Sequence, residues 1–254
     1  MTVINKTIVQ TRFGRSATTY HQEAQIQREQ AARLAIATQG FKPLKNILEV
    51  GCGTGFLTKA MLAIHRPITY HLNDLAPEMV AQSARILKES NIHASSMLTG
   101  DAETIEFPKA LDAIVSSSTI QWFNHPARFF EKSAMALCQG GLLAVGTFGQ
   151  LNFKEIKSLT QQGLDYANVV ELRNMLSPWF EIHSIEETTI TQWFESPAAV
   201  LNHMRHTGVN CLKSHCMGAG ALRGFMASYS EQYATCKGKI PLTWHPITMV
   251  ATKR

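Results

Sequence analysis

The sequence predicts an α/β fold built on a mainly parallel seven-stranded sheet with helices on both faces. Three observations carry that prediction. Short β-favouring runs alternate with helix-length segments between residues 44 and 150, as in a parallel sheet joined by crossover helices. The first apolar run ends in Leu48-Glu49-Val50-Gly51-Cys52-Gly53-Thr54-Gly55, a glycine-rich turn from strand into helix. Beyond residue 150 the rhythm changes, and polar and β-favouring residues alternate as in an antiparallel strand.

Taken in order, residues 16–38 are Ala- and Gln-rich without Pro or Gly and read as a helix starting near Ser16. Ile47 to Val50 reads as a buried strand stopped by glycines, and Phe56 to Ile64 follows at helical spacing. Strand Ile68 to Leu72, helix Pro77 to Glu89 with proline in its first turn, and strand Ala94 to Leu98 repeat the unit. Strand Leu111 to Ser116, helix Ala127 to Cys138 and strand Leu142 to Thr147 complete the core. Lys154 to Gln162 and Val169 to Leu176 read as helices, and Ile182 to Phe194 as one long strand. Pro197 to His206 and Ala219 to Tyr233 are helical in pattern, and Ile247 to Thr252 is the last strand. One domain over 1–254 is expected: a helical cover at 1–40, a core at 44–150, and late strands at 151–254 carrying a helical lid at about 197–236.

Composition narrows the functional classes. The apolar share of 45% is globular, and the net charge of +5 comes without a dense Lys/Arg block. Nucleic acid is therefore not expected as a partner, while an acidic partner suits the charge. No apolar run reaches the roughly 18 residues of a membrane span, and the first residues lack a secretion-signal pattern. Five cysteines, at 52, 138, 211, 216 and 236, are odd in number and scattered. They fit a reduced cytoplasm better than a disulfide framework. His203, His206, Cys211, His215 and Cys216 include zinc-ligand types, but their spacing matches no zinc pattern, so no metal is expected.

The chemistry-bearing residues fall at successive strand ends. Gly51, Gly53 and Gly55 let backbone amides approach a ligand, and the following helix N-terminus favours an anion there. A dinucleotide fingerprint would place its third glycine at position 56, where this chain has Phe56. Asp74 ends the second strand, where one carboxylate can accept from two ribose hydroxyls, and Asp101 ends the third, where it can accept from an adenine amino group. Glu49 lies inside the first strand's end, and a buried carboxylate needs a partner. The sulfonium or amino group of S-adenosyl-L-methionine is one candidate.

On the motif Leu48 to Gly55 the chain resembles the class I S-adenosylmethionine-dependent methyltransferases over roughly residues 44 to 150. The resemblance implies a Rossmann-like sheet with an antiparallel last strand and a helical lid insertion. It also implies that Gly51, Gly53 and Gly55 line the methionine part of the methyl donor, with Glu49 nearby. Asp74 and Leu75 would take the ribose, Asp101 and Ala102 the adenine, and Ser117 would close the methionine side.

Further marks resemble the malonyl-[acyl-carrier protein] O-methyltransferases of biotin synthesis. They are Phe13 to Tyr20 with Ala24 and Gln27, Ser116 to Trp122, Thr147-Phe148-Gly149, the lid segment Leu201 to Asn210, and Pro241 to Trp244. The implied acceptor is the free carboxylate of malonyl-acyl carrier protein or malonyl-CoA. Arg205 is the candidate grip on that carboxylate, since a guanidinium can hold one bidentately. Tyr20 would hydrogen-bond substrate or cover the donor, Gln121 and Trp122 would shape the pocket floor, and His203 would line the acceptor side. Lys213, Arg223 and Lys237 could meet an acidic carrier. The nearest alternative is another small-molecule methyltransferase, acting on a trans-aconitate-like acid or a quinone.

Overall fold

The computed structural model describes residues 3–208 and 218–254. Two helices lead, α1 (Lys6–Glu23) and α2 (Gln25–Ala37). The alternating core follows as β1 (Asn46–Val50), α3 (Phe56–Ile64), β2 (Thr69–Asp74), α4 (Pro77–Glu89), β3 (Ala94–Thr99) and β4 (Leu111–Ser117). A single 3-10 turn at Ile120–Trp122 leads to α5 (Pro126–Ala136) and β5 (Leu137–Phe148). The remainder is α6 (Lys154–Thr160), α7 (Val169–Leu176), β6 (Phe180–Glu187), β7 (Ile190–Phe194), α8 (Pro197–His206), α9 (Ala219–Tyr233), β8 (Ile240–Trp244) and β9 (Pro246–Lys253).

Seven strands form one sheet in the order β3-β2-β1-β4-β5-β9-β6, with β9 antiparallel to both β5 and β6. The expected mainly parallel sheet with an antiparallel last strand is what forms. Alternate residues of each central strand face opposite layers, as the two-residue period requires. Leu48, Val50, Ile114, Leu143 and Val145 share a core with Phe129 and Phe130 of α5 and Leu172 and Leu176 of α7. Ile47, Ala113, Val115, Leu142 and Ala144 pack with Leu34 of α2, Met61 of α3 and Val80 of α4. Burial on both faces explains why these strands read as continuous apolar runs.

Three expectations need correction. The N-terminal helix begins at Lys6, not near Ser16, because Asn5 caps it by accepting from the Ile8 amide at 3.2 Å. Gly14 is carried inside it, and the break comes instead at Ala24, which leaves the helical conformation at φ −84, ψ 55. The helix expected to run to Cys138 ends at Ala136, because Leu137 pairs with Leu111 and so begins β5. The single strand expected over Ile182 to Phe194 is two strands in different sheets. β6 pairs with β9, while β7 pairs antiparallel with β8 in a separate two-stranded sheet. Strand β8 has no counterpart among the expected elements.

A third cluster lies beyond the carboxyl edge of the large sheet. Trp244, Phe148, Phe153, Val200, Met204 and Tyr229 bring β5, β8 and the helices α8 and α9 together with Val9 of α1 and Ile26 of α2. Thus the N-terminal helices and the late insertion converge on the edge where the glycine turn and the strand-end acids lie.

Candidate active site

A cleft of about 690 Å³ opens at the carboxyl ends of β1 to β4, with α1 as its roof. That position outside the strand ends is where open α/β sheets bind ligands. Gly51, Gly53, Asp74, Leu75, Asp101, Ala102 and Ser117 all line it, together with Tyr20 and Trp122. Glu49, Gly55, Gln121, His203 and Arg205 are not among its lining residues.

The glycine turn is held by β2. The Gly51 and Cys52 amides both donate to the Asn73 carbonyl, at 2.8 and 2.9 Å. At Gly53 φ is +51, and an added Cβ would meet nothing within 4 Å, so this glycine leaves both a left-handed turn and open space beside the cleft. Gly55 is different. A Cβ there would fall 2.2 Å from Ile86 Cδ1, which sets this residue against α4 rather than toward a ligand.

Asp74 orders the turn from the opposite side. Its Oδ2 accepts from the Gly53 amide at 2.9 Å and its Oδ1 from the Ala76 amide at 3.0 Å. Burial raises its carboxyl above the usual range, and the backbone donors work against that rise. Asn73, in a position where an apolar residue is more usual, donates to the Leu98 and Gly100 carbonyls at 2.8 and 3.0 Å. This buried amide ties β2 to the β3 end that carries Asp101. Asp101 Oδ1 in turn accepts from the Glu103 amide at 3.0 Å.

Glu49 is fully buried. Its Oε2 accepts from Thr58 at 2.7 Å and from the Tyr70 hydroxyl at 2.6 Å, while Oε1 has no protein partner. Burial pushes its carboxyl up to about 7, although both hydroxyl donors pull the other way. Burial also pushes the neighbouring Cys52 thiol well up, with the Asp74 charge adding to it. Ser117 Oγ, at the end of β4, is likewise buried without a partner.

The roof supplies residues that sequence reasoning missed. Lys6, Val9, Gln10 and Phe13 join Tyr20 in lining the cleft, and the first four recur on one face of α1 at helical spacing. That periodicity becomes visible only once the helix is started at Lys6. Gln10 Nε2 donates to the Leu75 carbonyl at 2.9 Å. Tyr20 stacks on Phe56 with centroids 5.9 Å apart. Burial, then the Asp74 charge, pushes its phenol up, so the hydroxyl stays a donor. Lys6 Nζ reaches Glu103, Asp101 and the Trp122 carbonyl. Although burial opposes it, hydrogen bonds from Lys6 and the Asn124 and His125 amides hold the Glu103 carboxyl below the usual range.

The acceptor-side candidates are more dispersed. Gln121 donates to the Ser118 carbonyl at 2.8 Å and accepts from Thr147 at 3.2 Å, so it braces the loop after β4. Ser118 itself has φ of 55, a left-handed position for a non-glycine residue lining the cleft. His203 is buried against Phe194 and Trp244, its Nδ1 is 3.7 Å from Glu23, and its Nε2 has no partner. Burial lowers its pKa, which keeps the ring neutral. Arg205 is exposed. On α8 the inward positions are Val200, His203 and Met204, which turns Arg205 outward by the helical phase. Arg223 and Lys237 are exposed as well. Val209, Asn210, Cys211, Lys213, His215 and Cys216 lie outside the described residues. Among the described residues no group of three or more His, Cys, Asp or Glu side chains could hold a metal, and no helix is long and apolar enough to cross a membrane.

The donor set suits a nucleoside joined to an amino acid. Carboxylates stand at the ends of β2 and β3 and the glycine turn follows β1, while unpartnered Glu49 Oε1 and Ser117 Oγ lie at the ends of β1 and β4. S-adenosylmethionine has the chemical groups such a set could take: ribose hydroxyls, an ammonium and a carboxylate.

Comparison with known proteins agrees with this geometry. Residues 48–145 match the family model described as a methyltransferase domain. The chain is 37% identical over 263 aligned positions to a malonyl-[acyl-carrier protein] O-methyltransferase of Bacteroides thetaiotaomicron, covering 99% of each. It is also 37% identical to one of Bacteroides fragilis, where 98% of this chain matches 51% of the longer relative. The YcgJ protein of Bacillus subtilis shares the fold, with a TM-score of 0.63, 15% identity, and coverage of 88% of this chain and 98% of that one.

Proposed function

The chain belongs to the malonyl-[acyl-carrier protein] O-methyltransferase family of class I S-adenosylmethionine-dependent methyltransferases, and on that premise we propose its reaction. It transfers the methyl group of S-adenosylmethionine to the free carboxylate of a malonyl thioester. The product is the methyl ester that primes pimeloyl and biotin synthesis. The observation that carries this reading is the end-to-end match, at 37% identity, to a relative of that name. Malonyl-acyl carrier protein is the expected acceptor, with malonyl-CoA as the alternative carrier. The proposed setting is the cytoplasm, with a single domain and neither nucleic acid nor membrane as partner.

Carboxylate attack on a sulfonium methyl cancels two charges, so water stabilises the reactants more than the transition state. A dry site that aligns oxygen, methyl and sulfur at about 3–3.5 Å therefore supplies most of the rate. No general base is needed, because the acid is already ionised near neutral pH. In this reading Phe13, Trp122, Phe123 and Met79 exclude water from the cleft. Asp74 and Asp101 fix the nucleoside, and Tyr20 stands over it as a permanent hydrogen-bond donor. Among the described residues lining the cleft Lys6 is the cation, and Glu103 neutralises it. The nucleophile is thus not blunted by a strong ion pair inside the cleft. Arg205, on the outward side of α8, is proposed to meet the carrier rather than the reacting carboxylate. Gln121 is proposed to act through the loop it braces.

The test is an assay of the purified chain with S-adenosylmethionine and malonyl-acyl carrier protein, malonyl-CoA or trans-aconitate, read by mass spectrometry. Methyl ester on a malonyl thioester is expected. Transfer to trans-aconitate alone would replace the acceptor in this proposal.

A further inference from the structure

Gln27 is a buried polar side chain that neither the fold nor the mechanism uses. It is 3% exposed, and neither its Nε2 nor its Oε1 has a protein partner. Such a residue costs stability where it stands, because a desolvated amide has lost its water bonds without replacement.

Its place follows from its neighbours on α2. Gln30, one turn later, donates to the Thr147 carbonyl and accepts from Ser118 Oγ, both at 2.6 Å. Further along, Leu34 packs in one core with Leu142 and Ala144, which precede Thr147 on β5. Helix α2 therefore descends from the carboxyl edge of the sheet toward the opposite edge. By helical phase Gln27, a turn before Gln30, is placed nearer the carboxyl edge on the α2 face that meets the loop carrying Ser118, although it is not itself among the residues lining the cleft. Helix α2 also shares a core with α3, which the glycine turn begins. Around that turn three more buried atoms lack partners: Glu49 Oε1, Thr54 Oγ1 and Ser117 Oγ.

We propose that Gln27 binds the α-amino-acid end of the methyl donor, as a binding residue contributed by the N-terminal helices rather than by the glycine turn. The assignment rests on the donor reading above. A carboxamide offers donors on nitrogen and an acceptor on oxygen. An α-amino acid uses both at once, its carboxylate taking the N–H and its ammonium the C=O. A malonyl thioester presents acceptors only and would leave Oε1 unpaired. Thr54 and Ser117 hydroxyls add donors for the carboxylate, and Glu49 Oε1 adds an acceptor for the ammonium.

The test compares two ligands on wild type, Gln27→Leu and Gln27→Met by calorimetry. S-adenosylhomocysteine carries the amino-acid end, and 5′-methylthioadenosine lacks it. Both variants are expected to weaken S-adenosylhomocysteine by about tenfold or more, as for a lost hydrogen bond to a charged group. Their affinity for methylthioadenosine is expected to match wild type. Their melting temperature without ligand is expected at or above wild type, since the unpaired amide is gone. Equal weakening of both ligands would overturn the assignment, as would no weakening of either, which leaves Gln27 with ordered water only. Failure of wild type to bind S-adenosylhomocysteine would overturn the donor reading and this assignment together.

Discussion

Lys6 Nζ lies 2.5 Å from Glu103 Oε2 and 3.5 Å from Asp101 Oδ1, joining the start of α1 to the loop after β3. The same loop is stitched to the chain start by Ile4, whose amide donates to Asn124 Oδ1 at 2.7 Å. The roof of the cleft is thus fastened beside the end of β3 by two ion pairs from one lysine. Replacing Lys6 with Met should loosen that fastening while Glu103 keeps its two amide donors. Stability is expected to fall by about 1–3 kcal/mol, with faster release of S-adenosylhomocysteine. Thermal melting and stopped-flow displacement would check both effects, and unchanged release would show that α1 does not control exit.

Glu49 makes stability depend on pH. Its folded-state carboxyl is raised from 4.5 to about 7, so the folded chain holds a proton that the unfolded chain has lost. Its favourable contribution is complete below about 4.5, declines as pH rises, and is gone above about 7. Glu49→Gln removes that dependence. The variant's melting temperature relative to wild type should therefore be higher at pH 8 than at pH 5, with a swing on the order of 3 kcal/mol. A pH-independent difference would mean that Glu49 ionises normally.

Asp74→Asn exchanges one acceptor oxygen for a donor nitrogen. Either the Gly53 or the Ala76 amide then loses its acceptor, and the ribose loses its carboxylate. Binding of S-adenosylhomocysteine should weaken by about ten- to a hundredfold in equilibrium titration. Wild-type affinity in this variant would remove Asp74 from the proposed donor site.

Arg205→Ala should leave stability within about 0.5 kcal/mol, because the side chain is exposed. If it meets an acidic carrier, KM should rise for malonyl-acyl carrier protein and not for malonyl-CoA. A fall in kcat with both carriers would return Arg205 to the reacting carboxylate.

Much of this architecture was legible because the core repeats one unit. Strands buried on both faces leave apolar runs, and the boundaries of α3, α4, α7, α8 and α9 matched the sequence pattern. Glycine at position 14 hid the first two turns of the roof, since propensity penalises a glycine that tertiary contacts tolerate. With those turns went Lys6, Val9 and Gln10 of the cleft wall, while Phe13 was read only as part of a family mark. The split between β6 and β7 was invisible, because alternation persists across Thr188 and Thr189 and nothing local says that the partner strand changes. Strand-end acids were readable from their spacing. The orientation of Arg205 was not, because it depends on which side of α8 finds a core.

Phe194 pairs with Ile240, and Lys239 meets Glu195 beside them. The chain therefore leaves the body at β7 and returns at its immediate neighbour β8, with α8 and α9 lying on the excursion between. Lengthening, trimming or exchanging that excursion leaves the two attachment points where they are. The span between Phe194 and Ile240 is accordingly attached at one place yet seated on the body through Val200, Met204, Phe225 and Tyr229, so any exchange of it must carry matching contacts.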